Sequence, residues 1–253
     1  MELRDKQIYE AIEACLLAGK IMLQSGAETY RVEDTMMRMA SAFGVGETHS
    51  YVTPTAIIFT SGGKGPVTTK LVRISDRTTD LKKVAMVNNI SRKISSGDLD
   101  LAEAFRQLKD IESANLTFSV QLQLFAAAVA SGCFLIMFKG GWPDFLPSMV
   151  AGGAGYLFFI QFHRLVPIKF FAEFVSSFLI GLISFAFVKA GLGHELDKII
   201  IGSVMPLVPG LLITNAIRDL MAGHLVSGIS KGAEALLTAF AIGSGIAVVL
   251  SFI

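Results

Sequence analysis

Residues 119–138 read SVQLQLFAAAVASGCFLIMF, twenty positions without a charged side chain. A helix needs about 20 such residues to cross the hydrocarbon core of a bilayer. Four more apolar runs of similar length follow, near 144–161, 169–190, 197–216 and 232–252. Upstream the chain is different. Residues 1–118 hold 15 Lys/Arg and 15 Asp/Glu, while residues 119–253 hold 7 and 6. The expectation is therefore two parts: an α+β soluble domain over 1–118, then an all-α membrane domain of five helices over 119–253.

The bulk numbers agree with that division. The 253 residues are 52% hydrophobic with a net charge of +1, and the mean hydropathy is +0.58. Neither half is strongly basic, so electrostatics give no support to a nucleic-acid partner. The N-terminal MELRDKQIYEAIEA is charged and lacks the apolar core of a signal peptide. Cys15 and Cys133 are too few for a disulfide framework. The four histidines are scattered; His194-Glu195 with Asp197 reads as a polar loop, and no residue set has metal-ligand spacing.

Within the first part, Ile8, Ile12, Leu16, Gly19 and Leu23 fall at helical spacing, so 5–24 is expected to form an amphipathic helix. Ser25-Gly26 can end it, with Gly26 in the left-handed position. Ser25 stands three before Glu28, which suggests a capping box and a second helix to about Phe43. The Val-, Ile-, Thr- and Tyr-rich segment around SGGKGP reads as a β-hairpin, with strands near 51–60 and 66–75 and Pro54 placing the first at a sheet edge or delaying its start. SGGKGP lacks the full GxxxxGK[ST] phosphate-loop pattern and reads as a turn. Helix is expected again from Asp76 to Ser95, and from a cap at Asp100 and Glu103 to about Ser113.

The second part carries small residues that let membrane helices approach closely: Gly152, Gly153, Gly155, Ser177, Gly181, Gly243 and Gly245. AGGAGY has no preceding strand and so is no dinucleotide loop. In PLVPGLLITNAIRDL, residues 206–220, Pro206, Pro209 and Gly210 fall inside the fourth run, and each proline removes a helical hydrogen bond. Such breaks persist in membranes where they face protein or a wet cavity, and transporters place substrate sites there; a simple proline kink is the alternative. Thr214, Asn215, Arg218 and Asp219 follow within three turns. Glu173 and Glu234 sit at the edges of runs, where they either couple transport to protons or substrate, or snorkel to the headgroups. Inner loops would carry Arg164, Lys169, Arg218 and Lys231, against Lys139 and Lys198 outside with Lys189 at an end, a modest asymmetry that puts residues 1–118 in the cytoplasm and, after five spans, the C-terminus outside.

SGAETYRVEDTMMR, residues 25–38, concentrates Glu28, Arg31, Glu33, Asp34 and Arg38 on one helix. Their spacings permit intrahelical ion pairs worth roughly a few tenths of a kcal/mol each. On physics alone this is a solvated charged face or a functional one.

Here a resemblance enters. GAETYRVEDTM (Gly26–Met36), Thr53-Pro54-Thr55, the segment around Arg73, VNNISR (Val87–Arg92), Asp110-Ile111 and PGLLITNAIRD (Pro209–Asp219), followed by Ser227-Gly228 and Glu234, resemble in order the motifs of the threonine/serine exporter family. The resemblance implies an inner-membrane exporter with a cytoplasmic N-terminal domain. Single-chain members carry about ten spans, so five resemble the larger half of a split version, whose partner is a second small multi-span membrane subunit and whose substrates include succinate-like dicarboxylates as well as threonine or serine. It implies a substrate-binding or gating role for Glu28, Arg31, Glu33 and Asp34. In that reading Arg31 offers a planar fork to a carboxylate, and Glu28 and Asp34 hold an ammonium or orient Arg31.

Two classes follow: a transporter half that needs no cofactor, acts with its partner on a small-molecule substrate in the bilayer and can form a higher oligomer, or a membrane-anchored sensor or hydrolase-like protein. Paired carboxylates suit hydrolysis, but no nucleophile–base pair or metal set accompanies them. A broken, polar fourth span favours the transporter, because an anchor needs only one plain helix.

Overall fold

The computed structural model describes residues 2–62, 67–166, 168 and 170–252. These form two compact units, Met1–Thr117 with Leu211–Gly232, and Phe118–Gly210 with Ala233–Ile253.

The first unit is built around α1 (Glu2–Gln24). Beyond its opening turns this helix is buried over most of its circumference, with only a strip of Glu13, Lys20 and Gln24 partly exposed: Ala11, Ile12, Ala14, Cys15, Leu16, Leu17, Ala18, Ile21, Met22 and Leu23 are all core. The reason is that α2 (Thr29–Ala42), α3 (Leu81–Ser95), α4 (Leu101–Ser113) and a sheet enclose it. A Cβ at Gly19 would collide with Met36, so the missing side chain sets how closely α1 and α2 pack. α1 ends as its sequence suggests. Gly26 has φ +87°, its N–H donates to Leu23 O at 3.3 Å, and Ala27 N–H donates to Met22 O at 3.0 Å, the Schellman pattern.

Three local expectations need correction. The hairpin is a three-stranded antiparallel sheet, β1 (Thr48–Thr53), β2 (Ala56–Ser61) and β3 (Thr68–Arg73), in that order. The stretch expected as one strand, 51–60, folds back on itself at Pro54-Thr55, pairing Thr53 with Ala56, because proline fixes φ for a turn and offers no N–H to a ladder. β1 is an edge strand, as Pro54 suggests. Val52, Ile57 and Phe59 point into the core. The expected turn at 61–66 lies, from residue 63 on, outside the described residues. α3 starts at Leu81, not Asp76, because Asp80 is its cap and accepts from Lys83 N–H at 3.2 Å. Ser25 makes no capping box, since α2 begins at Thr29 with Glu28 at the N-cap position and no cap from Glu28's own side chain. Asp100 does cap α4, through Glu103 N–H at 2.8 Å.

The second unit packs α5 (Val120–Met137), α6 (Phe145–Leu165), α7 (Phe171–Lys189), α8 (Leu196–Val204) and the later turns of α10 (Leu225–Leu250). Its interior combines an aliphatic cluster, Ile180, Ile200, Val204, Leu207 and Ile242, with buried small polar residues. Ser148 Oγ donates to Ser131 O at 3.1 Å, and Ser203 Oγ donates to Ser148 O at 3.1 Å. A Cβ on Gly152 would strike Ser131, one on Gly155 would strike Ile180, and one on Gly245 would strike Ser177 and Phe174. This is the close approach that small residues permit in lipid. Asp144, 1% exposed, accepts from the backbone N–H of His194 (2.6 Å) and Glu195 (3.2 Å).

The fourth apolar run is broken. α8 ends at Val204, Met205–Leu207 make a 3-10 turn, and α9 runs Gly210–Met221. Pro206 lies in the turn, Pro209 just before α9 and Gly210 at its first position, as the loss of amide donors requires. Among the described residues four helices are long and apolar enough to cross a membrane, or five if this broken pair counts as one span.

Candidate functional site

Within the first unit, the Gly26–Thr29 turn, the start of α2, one face of α3 and the inner face of α9 enclose a cleft of about 250 Å³. Glu28, Arg31, Asn88, Thr214, Asn215 and Arg218 line it. The helical repeat explains the set from α9: Asn215, Arg218 and Asp219 stand three and four apart, on one face. The opposite face shows Ile213, Ile217 and Leu220 exposed.

Glu28 is the centre of the charge arrangement. The residue is 5% exposed. Arg218 Nη1 donates to its Oε1 at 2.5 Å and Arg31 Nη1 to its Oε2 at 3.5 Å. Burial pushes the carboxyl up, but its own backbone N–H, the Arg218 hydrogen bond and the charges of Arg31 and Arg218 outweigh it, leaving Glu28 below the ordinary carboxylate range. The fork of Arg31 is turned toward Asn88, whose amide oxygen, in the orientation that satisfies both groups, accepts from Nε at 3.1 Å and Nη2 at 2.9 Å. With two guanidiniums and one carboxylate, the lining carries a net positive charge.

Asp219 lies beneath the cleft, fully buried. Its Oδ1 accepts from Thr29 N–H at 2.9 Å and from Tyr30 N–H at 3.5 Å. The cap that the residues before α2 do not supply thus comes from 190 residues away. Its Oδ2 accepts from Lys231 Nζ at 2.8 Å. Asn215 Nδ2 donates to Gly26 O at 2.8 Å, closing the same turn.

The structure separates the other candidate residues. Glu33 faces β1, accepting Val52 N–H at 2.7 Å with His224 Nδ1 3.7 Å away. Burial raises its carboxyl, Val52 and His224 lower it, and Asp219 raises it; the net is upward. Asp34 is exposed and pairs with Arg38 at 3.2 Å. Pro206, Pro209, Glu173 and Glu234 do not line the cleft, and Gly210 only begins the helix that does. Sequence reasoning missed Lys231, Thr29, Asn88, His224 and Ser227, whose hydroxyl donates to Val52 O at 3.2 Å. Asn88 and Ser227 lie within recognisable stretches; Lys231 shows only as one charge beside apolar residues.

Residues 13–253 match the family model ThrE, described as "Putative threonine/serine exporter". The chain is 26% identical to "Probable succinate transporter subunit YjjP" of Klebsiella aerogenes, over 98% of this chain and 96% of that protein. It is 25% identical to the protein of the same name in Escherichia coli, over 94% and 92%. It is 19% identical to "Probable threonine/serine exporter" of Mycobacterium tuberculosis, over 97% of this chain but 47% of that protein. No solved structure matches significantly.

Proposed function

Because this chain belongs to the threonine/serine exporter family, we propose that it is one subunit of a two-component exporter of small carboxylates in the inner membrane. In this reading residues 1–118 are the cytoplasmic domain and residues 119–253 carry the membrane spans, of which Leu211–Gly232 pack with the first unit. A second small multi-span subunit completes the pathway. The word "subunit" in the names of two relatives supports a partner. An odd number of spans lets a following half run inverted, a common basis for alternating access.

The observation that carries the reading is the cleft. It combines a net positive charge with guanidinium donors, the chemistry that recognises carboxylates. Its charge also ranks the substrates. Glu28 is the single carboxylate of the lining, and both its oxygens are engaged by arginines. An ammonium entering beside them meets two cations and no unengaged anion. A dicarboxylate such as succinate therefore suits the cleft better than zwitterionic threonine or serine. Glu173 and Glu234, which are not among the cleft's lining residues, remain candidates for coupling.

Proteoliposomes loaded with labelled succinate or threonine, containing this chain with or without the proposed second small membrane subunit, test the proposal. Succinate efflux should exceed threonine efflux and require both proteins. Full efflux from this chain alone would overturn the two-component reading, and threonine efflux without succinate efflux would overturn the substrate ranking.

A further inference from the structure

Lys231 is among the most deeply buried charges of the first unit, 3% exposed in the second turn of α10. Its ammonium donates to Asp219 Oδ2 at 2.8 Å, Thr29 Oγ1 at 3.1 Å and Ala27 O at 3.4 Å. It does not line the cleft. We propose that Lys231 is a positioning residue for that cleft: by holding Asp219 against the start of α2, it sets where Arg218 meets Glu28. The inference rests on the carboxylate reading of the cleft given above.

Two neighbouring cross-links carry it. Asp219 holds Thr29, and Arg218, the residue before Asp219, holds Glu28, the residue before Thr29. Successive Cα atoms are about 3.8 Å apart, so fixing one cross-link constrains the other within a single peptide unit. Arg218 and Arg31 are each partly exposed and have long, mobile side chains, so Arg218 does not define its own place. The Asp219–Lys231 pair can, because both groups are buried. Separating a carboxylate from an ammonium away from water leaves each without its partner, which is costly, so their geometry is held. Lys231 also touches Thr29 and Ala27, on either side of Glu28. It thereby ties α9, the start of α10 and the Gly26–Thr29 turn at one point.

The same contacts would suit a salt bridge that only stabilises the fold, and the test separates the two. Full-length chain in lipid nanodiscs is compared as wild type, as Lys231→Met, and as Lys231→Met combined with Asp219→Asn. The double variant removes both buried charges, while the amide oxygen that replaces the Asp219 carboxylate still accepts from Thr29 N–H. Amide hydrogen exchange at Thr29 and Tyr30 is read beside succinate binding by calorimetry, scaled to folded protein. Lys231→Met should speed exchange at these two amides and weaken succinate about tenfold or more, as loss of one charge-assisted contact would. The double variant should restore the protection and bring binding back to within about threefold of wild type.

Unchanged exchange in folded Lys231→Met overturns the proposal. So does wild-type affinity in that variant, which would leave a purely structural role. A double variant with protected amides but a tenfold loss of binding also overturns it, because Lys231 would then act on the ligand directly; this arm decides the matter even if Lys231→Met does not fold. If the wild type itself binds no succinate, the substrate reading of the cleft fails, and the exchange comparison still judges the pin on its own.

Discussion

Glu28 and Glu33 stand five positions apart at the start of α2, yet their surroundings move their carboxyls in opposite directions. Glu28 is held below its ordinary value of 4.5 despite burial, through its backbone N–H and its two arginines. Its charge therefore stabilises the fold above pH 4.5, and this is lost as pH falls through the lower, folded value. Glu33 is raised, with burial as the main cause. Its charge costs stability above the folded value, and the cost vanishes below 4.5. Glu28→Gln should lower the thermal midpoint at pH 7 and converge on wild type in acid. Glu33→Gln, which keeps an acceptor for Val52, should match or exceed wild type at pH 7 and show no gain near pH 4. Melting curves across pH 3.5–8 check both, on the order of one pH unit being resolvable. The arginines divide similarly. Arg218→Gln should weaken succinate binding about ten- to hundredfold while Arg31 still shields Glu28. Arg31→Lys should rescue little of the loss in Arg31→Gln, because an ammonium cannot make the fork contact with Asn88. Arg38→Gln, at a residue that pairs with the exposed Asp34 and does not line the cleft, should change binding by less than about twofold. Equal affinities in all of these variants would remove the cleft from function.

Among the elements, helix starts are satisfied in two ways. Asp100 caps α4 from the adjacent position, and Asp100→Ala should cost about 1 kcal/mol. α2 is capped from α9, and Asp219→Ala should cost about 3–5 kcal/mol, because it orphans both the Thr29 amide and the buried Lys231. The glycines of the second unit differ in the same way. Gly152 faces Ser131 at a helix crossing, and Gly152→Val should prevent assembly of α5 against α6. Gly243 has open space around the missing Cβ, and Gly243→Ala should stabilise α10 by up to about 1 kcal/mol. Thermal unfolding of detergent-purified protein ranks the four variants; a Gly152→Val midpoint equal to that of Gly243→Ala would contradict the packing account.

At the scale of the whole molecule, the decisive property is topology. Counting the broken pair as one span gives five candidate spans, and an odd number places the two ends of the chain on opposite faces. In a Cys133→Ser background, which leaves only the buried Cys15, single cysteines at Lys6 and Phe252 should react with an impermeant maleimide from opposite sides. Labelling of both from one side would mean that α9 re-enters rather than completes a crossing.

Apolar length made the membrane class legible, because a run of about 20 apolar residues is long enough to cross a bilayer core with its backbone hydrogen bonds satisfied as a helix. The sequence likewise determined the break at Pro206–Gly210, the glycine end of α1 and the Asp100 cap, since each depends on the covalent chemistry of one or two neighbouring residues. The family was legible from its ordered motifs, and the concentration of charges at residues 25–38 from the sequence itself. What the sequence could not determine is which of those charges share a site. Glu28 and Arg31 belong with Arg218, whereas Asp34 belongs with Arg38 on the surface. Lys231 reads as a loop charge that orients the protein, and is instead a buried partner of Asp219. The strand that turns back at Pro54 and the remote cap on α2 belong to the same class. Such pairings join residues up to 204 positions apart, and no periodicity records them; only the path of the folded chain brings one partner to the other, and burial then makes the choice binding, because an unpaired charge or amide away from water is too costly to persist.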